Sequence, residues 1–181
     1  MKYFGILSLV FLVACQEKQA EKKPETVDSE NVWAESKSVS LLMDADIDPF
    51  VSIEDMSVDE VKVLLDKMYQ ADQQYRDSLQ NGNPEREDYY GKKMAANDQA
   101  NRKLLNKIIE KYGWPGIAQF GEAGAQTAWY VAWHQRSSEP TMAYYLKFME
   151  EANRKHDMNQ EQFLLVKNQL ANLRSVGKAS R

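Results

Sequence analysis

The sequence predicts an all-α fold, a single-domain bundle of about five helices that follows a polar N-terminal tether. Three observations carry this. Apolar residues recur at three- and four-residue spacing through most of residues 57–174. Recognisable entry and exit residues bracket each periodic run. No alternating run is long enough for a strand.

The first helix begins at Ser57, which forms a capping box with Glu60, and Met56 is placed to staple to Val61. Its stripe runs Val61, Leu64, Leu65, Met68, Tyr75 and Leu79, and Asn81-Gly82-Asn83-Pro84 ends it. A second helix starts near Pro84, follows Met94, Leu104, Leu105, Ile108 and Tyr112, and stops at Gly113 with Pro115 beyond. The third, about Glu122 to Arg136, sets Gly124, Ala125, Ala128 and Ala132 along one side, where a neighbouring backbone can approach closely. The fourth starts near Ser138 to Pro140 and carries Met142, Tyr145, Leu146 and Met149. Asn159 caps the fifth, with Gln162 three residues on and Met158 set to staple to Phe163. The helical domain is expected over 57–174, with 175–181 a tail. Trp129, Trp133, Tyr144, Tyr145 and Phe148 recur at helical spacing and read as core.

Upstream, Lys2 precedes an apolar stretch of 11 residues from Tyr3 to Val13. One positive charge before a short apolar core is the layout of a secretory signal, whereas a spanning helix needs about 20 apolar residues. The ending Leu12-Val13-Ala14-Cys15 resembles the lipobox of bacterial lipoproteins. The resemblance implies a signal peptide over 1–14 and a mature chain that starts at lipidated Cys15. It also implies a membrane partner through that lipid and a place in the cell envelope. Gln16 at the next position resembles outer-membrane sorting, facing the periplasm in a Gram-negative cell.

Cys15 is the only cysteine, so no intramolecular disulfide can form and the fold must rest on its core. Residues 15–56 are polar and of mixed charge, and read as a flexible tether whose reach is on the order of 35 Å. Within it, Asp44, Asp46, Asp48 and Asp55 resemble part of a calcium loop. Pro49 stands where that loop needs glycine and Asp55 where it needs glutamate, so the segment reads as a solvated acidic loop and no metal is expected. A net charge of -4 with dispersed lysines gives no electrostatic reason to hold nucleic acid. No glycine-rich phosphate loop or nucleophile elbow occurs, His156 has no metal-ligand spacing with His134, and no cofactor is implied.

The stripes are most informative where they break. Asp72 interrupts the first, with Arg76 one turn later; Asp98 and Asn101 interrupt the second. An unpaired buried charge costs several kcal/mol, so each needs a partner or a wet pocket. His134, near the end of the third helix, is expected to pair with Asp98, leaving Asp72 to Arg76. His134 and Asp98 are the candidate catalytic pair, and Arg76 could hold an anion. The alternative is a satisfied structural network.

With these residues in view, the chain resembles the bacterial family of unknown function DUF6624 from about Leu64 to the C-terminus. The likeness lies in Asp72-Gln73 with Arg76, in Asp98 with Asn101, in Tyr112-Gly113-Trp114-Pro115, and in Gly121, Gly124, Ala125, Ala128 and His134. Trp133 stands where the family has Gln, Asn168-Gln169 replaces an Asp-Arg pair, Gly177-Lys178 is kept, and a terminal Tyr-Gly-Thr-Gln motif is missing. The resemblance adds Trp114 to the ligand-binding candidates Asp72, Arg76, Asp98, Asn101 and His134. It implies a fold and no known reaction. The expected function is a membrane-anchored envelope module that binds a small ligand or an envelope protein. The alternatives are a hydrolase built on His134 and Asp98, and a purely structural lipoprotein.

Overall fold

Local signals form the helices close to where the sequence places them. The computed structural model of the chain describes residues 39–179. Helix α1 spans Val58–Asn81, α2 Glu87–Tyr112, α3 Ile117–His134, α4 Glu139–Arg154 and α5 Gln160–Ala179, with a 3-10 turn at Pro84–Arg86 leading into α2. No strand occurs among the described residues. The expected signal peptide, Cys15, Gln16 and the tether as far as residue 38 lie outside the described residues. Among the described residues, no helix is long and apolar enough to cross a membrane.

Ser57 and Glu60 form the reciprocal capping box of α1. Asn159 caps α5 by accepting from the backbone N–H of Glu161 and Gln162 at 2.9 and 3.2 Å. Beside it, Met158 and Phe163 are both buried, as a staple requires. Helix α5 continues to Ala179, so the residues expected as a tail are largely helical.

Helix α3 contains a break that its periodicity hides. Gly121 has φ +74° inside the span, a conformation that glycine adopts without the steric penalty of a Cβ. The long part of α3 therefore starts at Glu122, as the sequence predicts. Gly124 then faces α1 so closely that a Cβ would lie 3.2 Å from Leu65. Ala128 and Ala132 continue the same fully buried side.

Helix α1 packs on both α2 and α3, while α4 pairs with α5. Leu65, Met68, Leu104, Leu105, Ile108, Tyr145, Met149 and Val166 fill the shared core. Tyr145 carries α4 into that core, with its ring edge-on to Trp114 at 6.3 Å. Of the five aromatics read as core, Tyr145 is fully buried and the other four pack along its edge.

One joint ties the helix ends together. Gly116 lies against the α4–α5 loop so tightly that a Cβ would fall 2.0 Å from Asp157 Oδ2. The Asp157 carboxylate accepts from the Ala118 N–H at 2.6 Å, and its carbonyl from the Ile117 N–H at 3.0 Å. Asp157 thus satisfies amide donors at the start of α3 that have no helical partner. Gly116→Ala is expected to destabilise the fold by about 1–3 kcal/mol through overpacking, read by urea unfolding.

The tether expected over 15–56 is corrected from residue 39 onward. Leu42, Ile47 and Ile53 are buried in the common core, and residues 39–43 are helical. The rest of this segment is a strap along α2. A non-repetitive strap has backbone carbonyls with no ladder to accept them, and α2 supplies lysines instead. Lys93 donates to the Asp44 carbonyl, Lys107 to those of Pro49 and Val51, and Lys111 to those of Ile53, Glu54 and Met56. The Tyr112 hydroxyl also reaches Met56, at 2.7 Å. The domain therefore extends upstream of residue 57 to include the strap. Ile53→Ala is expected to cost about 2–4 kcal/mol, as a core truncation does. A flexible tether would show no loss in thermal unfolding.

Candidate functional site

The α-helical repeat puts Asp72 and Arg76, four residues apart, on one side of α1. That side meets α2 at Asp98 and the last residue of α3, His134. Arg76 bonds Asp72 through Nε and Nη2, both at 3.3 Å, and Asp98 through Nη2 in a closer contact. Its Nη1 reaches Met94 Sδ at 3.4 Å. His134 Nε2 lies 3.1 Å from Asp72 Oδ2, and Gln73 donates to the same oxygen at 2.6 Å.

The structure thus corrects the expected pairing. His134 pairs with Asp72, and Asp98 pairs with Arg76, so one guanidinium serves two carboxylates. An ionised carboxylate only accepts, so His134 donates to Asp72 through Nε2. This is the arrangement in which a carboxylate orients an imidazole.

The two carboxylates are driven apart electrostatically. Burial opposes the Asp72 charge, but the bonds from His134 and Arg76 outweigh it and hold the carboxyl below its ordinary range. Burial, reinforced by the Asp72 charge, pushes Asp98 above that range against the pull of Arg76 and His134. The Asp72 side chain is 1% exposed, against 22% for Asp98.

A pH prediction follows with opposite signs for the two acids. The stability from Asp72, with its lowered pKa, is present above the unfolded-state value and is lost as pH falls through the folded one. The charged Asp98, with its raised pKa, costs stability as pH rises through its folded value. The destabilisation caused by Asp72→Asn is therefore expected to shrink below about pH 4, in the ordinary carboxylate range. Asp98→Asn is expected to be most favourable to stability at neutral pH. Urea unfolding between acid and neutral pH checks both signs.

Asn101 lies apart from this cluster. Its Nδ2 donates to the Met68 carbonyl at 2.9 Å inside the α1–α2 interface. Its Oδ1 is buried and has no partner among the described residues. Trp114 is buried beyond the end of α2, and that end, at Tyr112, is about 21 Å along the axis from Asp98 at the usual rise per residue. It serves the core and is not part of the cluster.

Sequence reading missed Asn97. It is fully buried, donates through Nδ2 to the Ala71 carbonyl at 2.8 Å, and accepts the Asp46 N–H through Oδ1 at 2.8 Å. It joins α1, α2 and the strap. A signal existed: Asn97, Asn101, Leu104 and Ile108 form a helical stripe of their own.

The acidic segment is ordered by protein groups. Asp46 takes Lys93, Gln74 and Asn97, while Asp48 accepts the Phe50 N–H. No group of three or more His, Cys, Asp or Glu among the described residues is placed to hold a metal ion.

A groove of about 590 Å³ runs between α2 and the start of α4, with Arg102 and Lys103 in its wall. Others of about 580 and 350 Å³ adjoin the strap, and two smaller ones lie near Trp114 and Gln126. None of these five is lined by Asp72, Arg76, Asp98 or His134. No protein-family model, curated protein or solved structure matches the chain.

Proposed function

We propose that this protein is a lipid-anchored module of the bacterial cell envelope whose helical domain binds a small ligand or another envelope protein without catalysing a reaction. The anchor reading rests on the residues Leu12 to Cys15. The non-catalytic reading rests on one observation: Asp72, Arg76, Asp98 and His134 bond one another, and none lines a described cavity. Groups bonded to one another in this way join α1, α2 and α3.

Expression with radioactive fatty acid tests the anchor. The wild-type chain should be labelled and Cys15→Ser should not. Persistent labelling of the variant would sink the anchor.

A second reading has a specific observation behind it, the Asp72–His134 pair beside a carboxyl of raised pKa. Two acids pushed in opposite directions are the usual basis of acid–base division of labour. In that reading His134 is the base, Asp72 orients it, and Asp98 is the acid, in a hydrolase. Turnover of an ester, amide or phosphoester by the wild type, lost in both His134→Ala and Asp72→Asn, would replace the first reading with this one.

A further inference from the structure

The groove between α2 and α4 has the chemistry of an anion site. Its volume of about 590 Å³ falls within the range of small-molecule sites. Arg102 and Lys103 lie four and three residues before Asn106 on α2, so both flank it in the groove, while Thr141 and Tyr144 face them from α4. Among the described residues, no aspartate or glutamate lines it, in a chain of net charge -4.

Arg102 makes no ion pair among the described residues. Lys103 lies over the Phe50 ring at 4.1 Å, a contact that leaves its positive charge unneutralised. Asn106 Oδ1 accepts from the buried Tyr145 hydroxyl at 3.0 Å, which leaves its Nδ2 to donate. Of the nearest acids, Glu139 is engaged by Arg174 at 3.0 Å. Glu110, one turn beyond Asn106, lines the neighbouring cavity. Burial, and secondarily Glu110, raises the Tyr144 phenol, which keeps it a hydrogen-bond donor.

The other basic cavity sets acids beside its cations. Lys107 and Lys111 line it, but both ammonium groups already bond strap carbonyls, and Glu54 and Glu110 share the wall.

We propose that the groove binds a phosphomonoester, with the phosphate against Arg102, Lys103 and the Asn106 amide and the organic part against Tyr144 and Leu42. The charge count favours phosphate over carboxylate. A phosphomonoester carries about -1.5 to -2 at neutral pH and matches two cations, whereas a carboxylate leaves one unmatched. This rests on the binding-module reading above and names the ligand class.

The test uses the purified full-length chain and phenyl phosphate, followed by calorimetric titration. Binding is expected, with benzoate about tenfold weaker or worse, and each of Arg102→Gln and Lys103→Gln should weaken phenyl phosphate by about tenfold or more. Unliganded unfolding temperatures check that the variants fold. Arg102→Lys, which keeps the charge and loses the planar fork, serves if Arg102→Gln does not fold, and should also weaken binding. No binding, or benzoate equal to phenyl phosphate, overturns the proposal. Binding untouched by the substitutions overturns this site and leaves the binding module standing. Release of inorganic phosphate that depends on Arg102 supports the site and overturns the non-catalytic reading. Sedimentation with phosphatidylcholine vesicles containing phosphatidate, beyond that with phosphatidylcholine alone and dependent on Arg102, assigns the phosphate to a lipid headgroup. Binding of phenyl phosphate without that excess assigns it to a soluble ligand.

Discussion

Arg76→Ala is expected to destabilise the protein by about 2–4 kcal/mol, somewhat below the ~3–5 kcal/mol of a fully buried pair, because 22% of the Arg76 side chain remains exposed. The cost comes from what is left behind. Without the guanidinium, Asp72 keeps only His134 and Gln73, and Asp98 keeps no bonded cation in the cluster. Two carboxylates then share a poorly solvated space, and the less favourable one takes up a proton. The destabilisation should therefore be larger at pH 8 than at pH 5, as measured by urea unfolding. Replacing the charges together, as Arg76→Met with Asp72→Asn and Asp98→Asn, should recover much of the loss, since neutral groups leave no orphaned charge. A single substitution as costly as the triple would show that Arg76 matters for its packing and not for its charge.

Tyr145→Ala is expected to cost about 3–5 kcal/mol, the range for truncating a large buried aromatic. Tyr145 is fully buried, meets Trp114 edge-on, and donates to Asn106. Its ring is the main wedge between α4 and the rest of the core. Tyr145→Phe should cost only about 1 kcal/mol, because the ring stays and one hydrogen bond is lost. Thermal unfolding of the pair separates cavity from hydrogen bond. If both cost the same, the hydroxyl and not the ring holds α4 in place.

Features set within one turn of helix were legible in the sequence. The Ser57–Glu60 box, the Asn159 cap and the Asp72–Arg76 pair each involve neighbours no more than four residues apart. The partner of His134 was not, because Asp72 and Asp98 lie on different helices and only their packing decides which one meets the ring. On α2 the apolar stripe reads through Met94, Asp98 and Asn101, whereas the buried face runs through Asn97 and Asn101. A run with two amides on its inner side looks polar, so Asn97 was passed over. Residues 39–56 looked like a tether because their few core residues have no helical or strand period and their composition is polar. Lysine side chains that satisfy carbonyls about fifty residues upstream have no sequence signature at all. The Arg102, Lys103 and Asn106 stripe was hidden differently: dispersed lysines say little until α4 is known to face them.

The strap also sets an order of events. Its lysine contacts span 47 to 58 residues of chain, while α1 and α2 are joined by a short turn. Closing such long loops costs entropy that a hairpin of adjacent helices does not face, so the α1–α2 hairpin assembles first and the strap closes over it afterwards. The same asymmetry acts in reverse: the strap, anchored in the core by Ile47 and Ile53 and otherwise by ammonium–carbonyl bonds, has no repetitive backbone ladder and is expected to open before the helices. Within residues 39–179, proteolysis under native conditions should accordingly begin between residues 44 and 56, before helices α1 to α5 are cut.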